Sequence, residues 1–175
     1  MATQTHDWTR FTRKIFIKAD SGTVFEAWTK AEKITQWFIA EAQYRRADAT
    51  KRAADEMIQV GDSYFWRWHQ NLDISGKILD VIPDKKLRFT FGENGDASGG
   101  NIIVTVTIHQ LDGETLLELE QENMPTTEDA KLGWYLSCNM GWSFFMSNLK
   151  ARLEHDVDLR EYDAERAYMS RAISL

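Results

Sequence analysis

The chain holds one cysteine, Cys138, in 175 residues. A lone thiol excludes an internal disulfide framework and fits a reducing compartment. Apolar runs are short. None approaches the ~20 residues needed to span a bilayer, and Met1 to Trp8 contains no apolar signal core. The expectation is a cytoplasmic protein without a membrane span. Positive charge is also scarce: the formal net charge is −6, whereas nucleic acid demands a basic face. The one dense basic run, Tyr44-Arg45-Arg46 continuing to Lys51-Arg52, is interrupted by Asp48 and followed by Asp55-Glu56. It reads as solvated surface, so no nucleic-acid partner is expected. Metal-site spacing is missing too, because His6, His69, His109 and His155 sit in unrelated segments. There is no G-x-S-x-G elbow, and the glycines of 92–100 join two strands without opening a helix, as a hairpin does and a nucleotide loop does not. No metal, cofactor or catalytic residue is assigned.

What the chain does have is aromatic bulk, including seven tryptophans, within an ordinary 43% hydrophobic content. Such side chains suit both cores and the walls of apolar pockets. The length fits one domain, residues 1–175, with a core over 11–155 and a helical C-terminal extension over 156–175. Phe11 to Ala19 reads as a first strand. Asp20 or Ser21 then caps a short helix with Val24, Phe25 and Trp28 on one side, and a second short helix runs from Lys30 to Trp37. Strands are predicted over 40–46, 63–69, 73–82, 86–91, 102–109 and from the Asp112-Gly113 turn to about Glu122. The polar stretch 47–59 reads as a loop with a helical turn. A long helix from about Thr126 to His155 carries Trp134, Cys138, Trp142, Phe145, Leu149 and Leu153 at helical spacing.

Hairpin-sized connections make the sheet antiparallel, and segregated helices make the class α+β. Two short helices follow the first strand, and a curved antiparallel sheet wraps around the long C-terminal helix. Four stretches carry a resemblance: Val24-Phe25-Glu26-Ala27-Trp28; Ile34-Thr35-Gln36-Trp37-Phe38; Ser75 to Leu87, with Gly76, Leu79 and Pro83; and Gly141-Trp142 followed by Leu149 and Leu153. In this order they resemble the SRPBCC superfamily, the START or Bet v 1-like helix-grip fold. The nearest likeness is to its subfamily related to the C-terminal domain of the activator of heat-shock-protein-90 ATPase. The resemblance covers about Phe11 to His155. It departs at Gly61-Asp62, where relatives often have Gly-Gly, in a longer insertion before that point, and at Gln121, where relatives often carry histidine.

The resemblance implies a ligand held between sheet and helix, with Trp37 and Phe38 near the entrance. Tyr64, Trp66, Trp68, Phe89 and Phe91 are then expected on the sheet wall, and Trp134, Tyr135 and Cys138 on the helix wall. Alternation from Leu117 and Leu119 points Gln121 inward, where it needs a partner, water or ligand. Bulky aromatics can equally fill such a space. The favoured reading is a protein binding a small apolar or amphipathic molecule, with Trp66→Ala and Trp134→Ala weakening binding more than folding. The rivals are a chaperone-interaction module like the activator, and a cyclase- or hydrolase-like enzyme that needs an inward acid or base. The tail residues Leu159, Tyr162, Arg166, Met169 and Ile173 have partial amphipathicity. They suit packing on their own domain or on a symmetry mate, as in a homodimer.

Overall fold

Alternation is visible in the ladder itself. In a computed structural model describing residues 6–69, 72–92, 101–163 and 166, seven strands form one antiparallel sheet. They are β1 (Phe11–Ile17), β2 (Glu41–Arg45), β3 (Ser63–Arg67), β4 (Asp73–Ile82), β5 (Lys86–Thr90), β6 (Ile103–Gln110) and β7 (Thr115–Glu122), in the spatial order β1-β7-β6-β5-β4-β3-β2. In β7 every second residue is buried, from Thr115 through Leu117 and Leu119 to Gln121. The intervening Glu118 and Glu122 pair across the outer face with Lys14 at 2.7 Å and Arg88 at 3.2 Å, and Glu120 pairs with Arg10. These outer pairs hold register and solubility, because exposed ion pairs contribute little to stability. The turn expected within 93–100 lies outside the described residues.

The sheet bends where β4 changes partners. Its register with β5 shifts between Ile78 and Asp80. At Gly76 a Cβ would stand 2.5 Å from both the Thr90 carbonyl oxygen and the Tyr64 ring. Only glycine permits that approach. Tyr64 closes it by donating its hydroxyl to the Thr90 carbonyl at 2.6 Å.

Helix α1 (Ser21–Thr29) starts where Asp20 accepts from the Thr23 amide at 2.8 Å, and it buries Val24, Phe25 and Trp28. Helix α2 (Ala31–Ile34) is shorter than expected, and a turn carries Trp37 and Phe38. The reason is local. Both rings are buried and stack on each other at 5.2 Å, whereas successive residues of a helix diverge by ~100°. The insertion 47–59 likewise has no helix; it is pinned by side chains. Arg46 meets Glu56 at 2.7 Å, and the buried Arg52 guanidinium pairs with Asp62, whose carboxylate also accepts from the Gln59 amide at 2.8 Å. The departure at Gly61-Asp62 is thus explained: Asp62 anchors the longer insertion.

After β7 the chain enters α3 (Glu128–Ala130), passes through a π-helical segment (Lys131–Leu136) and continues as α4 (Ser137–His155). The run was expected to be one uniform helix. The wider π turn, in which the Ser137 amide and hydroxyl both donate to the Leu132 carbonyl, is a departure from it. Trp142, Met146 and Leu149 of α4 join the core. Asp156, left-handed at φ 54°, ends the helix. The helix expected over 156–175 is not seen at 156–163, which has no regular secondary structure. Its hydrogen bonds go to side chains and to a distant loop, leaving no i−4 ladder to form. Met169 and Ile173 lie outside the described residues.

Candidate functional site

The helix does not fill the whole space it covers. A cavity of about 910 Å³ remains, bounded on the sheet side by Trp68, Ile74, Ser75 and Phe91 and on the helix side by Trp134, Cys138, Trp142 and Phe145, with Phe38 between. Its volume is at the upper end of the range typical for small-molecule pockets. Exposed Leu72, Gly133 and Ser137 also line it and mark its opening to solvent.

The walls follow from the elements described above. The turn after α2 presents Phe38, which stacks on Trp142 at 5.0 Å and meets Trp68 and Phe145 edge-on at 5.2 and 4.8 Å. The π segment brings Gly133 and Trp134 to the cavity while Tyr135 points to the other side. Gly133, Ser137 and Gly141 recur at intervals of four along the wall. A Cβ built on either glycine meets nothing within 4 Å. Neither is required by packing, although glycine inside a helix costs about 1 kcal/mol relative to alanine.

Electrostatically the lining is nearly neutral. Among the described residues the lining has no lysine, arginine or histidine, and its one carboxylate, Asp73, is held by Arg67 at 2.7 and 2.9 Å, which depresses its pKa. Burial pushes the Cys138 thiol up, opposed by a hydrogen bond with Gln121. That thiol stays protonated near neutral pH and is a poor nucleophile. Among the described residues no three His, Cys, Asp or Glu side chains cluster as metal ligands.

The residues singled out from the sequence divide sharply. Phe38, Trp68, Phe91, Trp134 and Cys138 meet at the cavity. Trp37, Tyr64, Trp66, Phe89, Gln121 and Tyr135 do not line it. Trp37 lies behind Phe38, donating its indole N–H to the Ala27 carbonyl at 2.9 Å. Trp66 is wholly buried against Tyr64, Phe38 and Phe89. Tyr135 packs on Phe11 and Trp8 and shares a 2.7 Å hydrogen bond with His6. Gln121 points inward but is occupied: it accepts from the Trp142 indole at 2.7 Å and donates to the Met124 sulfur at 3.3 Å. It needs no ligand. Among the lining residues missed from the sequence were Ile74, Ser75, Gly133, Ser137, Gly141 and Phe145. The glycines at Gly133 and Gly141, flanking Ser137 on an otherwise aromatic helix, were the available signal.

The family described as "Activator of Hsp90 ATPase homolog 1-like protein" matches residues 18–154, a span that includes every residue lining the cavity. No curated protein matches the chain significantly. Solved structures share the fold at low identity. A Staphylococcus saprophyticus protein is 20% identical with a TM-score of 0.66, over 86% of this chain and 96% of its own. The Aha1 dimer from Colwellia psychrerythraea, known from a solution structure, is 20% identical with a TM-score of 0.66, over 83% and 96%. An HSP90 activator from Plasmodium falciparum is 19% identical with a TM-score of 0.60, over 83% and 96%.

Proposed function

The chain belongs to the family of activator of Hsp90 ATPase homolog 1-like proteins, and from that premise we propose that it binds a small apolar or amphipathic molecule between sheet and helix. One observation carries this reading. The helix wall keeps Gly133 and Gly141 where alanine would fit freely and would favour the helix. Their effect is to keep an aromatic-walled space open. The part of the ligand inside is uncharged, because a buried charge without a free counter-charge is strongly disfavoured: among the described lining residues there is no cation, and the one carboxylate, Asp73, is already paired with Arg67. Any charged group of an amphipathic ligand stays at the open mouth. The reading is of binding without turnover. Asp73 is committed to Arg67, and Cys138 has a raised pKa and no imidazole beside it in the lining. The single cysteine supports a cytoplasmic setting.

The test is a titration with Nile red, a neutral solvatochromic dye, against the wild type and Gly141→Phe, with circular dichroism to check the fold. Saturable blue-shifted emission in the wild type, lost in the folded variant, is the expected result. Absence of binding to the wild type, or equal binding by both, overturns the reading.

A second reading, docking to a chaperone ATPase or to another copy of the chain, rests on a separate surface. Leu132, Leu136, Met140 and Phe144 form an exposed apolar row on the outside of the π segment and α4, with Leu132 63% accessible. The resemblance to a dimeric protein and to an HSP90 activator gives the row its two candidate occupants. Leu132→Asp with Met140→Asp leaves the cavity lining alone. Failure of the wild type to self-associate or to co-elute with an Hsp90 chaperone sinks this reading without touching the first.

A further inference from the structure

The family match ends at residue 154, yet the described chain continues to 163 and is tied down at every second or third residue. The Leu159 amide donates to the Asn148 side-chain oxygen at 2.7 Å. Asn148, fully buried on α4, uses its amide nitrogen to bond the Trp37 carbonyl at 2.7 Å and Asp158 at 3.1 Å. Arg160 reaches further. Its guanidinium donates to the carbonyls of Thr35 and Ile39, both at 3.1 Å, while Asp158 accepts from it at 2.6 and 3.0 Å. Tyr162 then donates to Asp158 at 2.6 Å and meets the His69 ring edge-on at 4.8 Å. The segment therefore starts at the end of α4, crosses the turn after α2 and finishes beside the residue following Trp68.

The three carbonyls captured belong to Thr35, Trp37 and Ile39, and the turn they frame carries Phe38, the wall between the two faces of the cavity. The turn is closed by its own amides, Gln36 to Lys33 and Trp37 and Phe38 to Ile34, and its rings are buried. None of those bonds uses the Thr35, Trp37 or Ile39 carbonyl, and among the described residues these three are taken only by Arg160 and Asn148. A planar guanidinium fixed by a carboxylate can bridge two carbonyls without the freedom a lysine would retain. Asn148 serves the same end from inside the helix, where an unsatisfied amide is costly.

We propose that residues 156–163 are a strap whose Arg160, braced by Asp158 and working with Asn148, positions the Trp37–Phe38 turn and so sets access to the cavity. Arg160 is a positioning residue: it touches neither the cavity nor Phe38's ring. The effect on ligand binding rests on the reading proposed above; the mechanical part rests on the hydrogen bonds alone.

Cys138 makes the mechanical part measurable. It is the only thiol in the chain and it lines the cavity, so the rate of its alkylation by N-ethylmaleimide reports how readily a reagent enters past the wall. Arg160→Met keeps the apolar stem and removes both carbonyl bonds. Alkylation is expected to accelerate at least about tenfold, the factor that loss of one of the two charged hydrogen bonds would already give. Ile108→Ala, toward the far end of β6, is the control, compared at a temperature equally far below its own midpoint. Its rate should stay near that of the wild type. An unchanged rate in Arg160→Met, or equal acceleration in both variants, overturns the strap. Nile red separates the two ideas. If the dye does not bind the wild type, the ligand reading fails while alkylation still decides the strap. If it binds and Gly141→Phe blocks it, but Arg160→Met alters neither alkylation nor dye affinity, the strap fails and the ligand reading stands.

Discussion

Two regions of the space between sheet and helix are built from the same kinds of residue and end differently. One is solid. Trp28 meets Trp37 there at 4.8 Å, Tyr64, Trp66 and Phe89 meet one another at 4.1 to 5.8 Å, and Phe38 joins the two groups, all with almost no exposed surface. The other is hollow, although Trp68, Phe91, Trp134 and Phe145 wall it. Aromatic content does not decide between core and pocket. The deciding residues are the small ones: in the hollow region the helix interleaves Gly133, Ser137, Cys138 and Gly141 with its rings, so space is left between them.

The comparison breaks most visibly under truncation. Trp28→Ala removes a side chain at the centre of the solid region and should cost about 3–5 kcal/mol in a denaturant titration. Trp134→Ala, on a cavity wall, should cost less than about 1 kcal/mol and show instead as weaker Nile red binding. Equal losses would mean that the two regions are one core. Trp142 touches both, meeting Trp28 at 5.8 Å and Phe91 at 5.5 Å, and its indole is held by Gln121. Gln121→Leu should leave the Trp142 indole N–H unpaired and destabilise by about 1–3 kcal/mol in the same titration, with little change in dye binding.

Smaller effects sharpen the contrast. Gly141→Ala should stabilise thermal unfolding by about 0.5–1 kcal/mol, since helix propensity is gained and no contact is lost, while narrowing the cavity. A destabilised Gly141→Ala would show that the glycine has a packing role after all. The smallest effect concerns His69, whose pKa is lowered by partial burial and then by the nearby Arg160 charge. In the folded state it takes up its proton less readily than in the unfolded chain. Its contribution is therefore neutral above the unfolded value of about 6.5, and stability declines as pH falls from there toward the lower folded value. His69→Gln should flatten that slope, read as the midpoint of thermal unfolding across acidic buffers.

Much of the fold was legible because it rests on local rules. Strand alternation in 102–109 and 115–122, the Asp20 cap, the Asp112-Gly113 turn and the apolar stripe of the long helix each report themselves within a few residues. The inward direction of Gln121 followed from alternation alone. Less of the site was legible. Tyr64, Trp66 and Trp68 share one face of β3 by period two, yet only Trp68, just past the strand's end, reaches the cavity, because Phe38 and Phe89 cover Trp66 and Tyr64 packs on it. Trp134 and Tyr135 were placed on one wall as neighbours on a helix, whereas they serve opposite sides. Arg160 was not singled out from the sequence, where only Leu159, Tyr162, Arg166, Met169 and Ile173 marked the tail. Its partners are more than a hundred residues earlier, at Thr35 and Ile39.

The sequence by itself determined the class of fold, the order of its elements and the presence of an aromatic-rich interior, because hydrophobic periodicity and turn chemistry act over short stretches of chain. Which aromatics pack solid, which face an open cavity and where the C-terminal segment ties down were decided only by tertiary structure. Those outcomes depend on whether a ring finds a side chain or a glycine beside it, and on carbonyls left free by a turn far away. Contacts of that kind are set by distance in space, which periodicity along the chain does not encode.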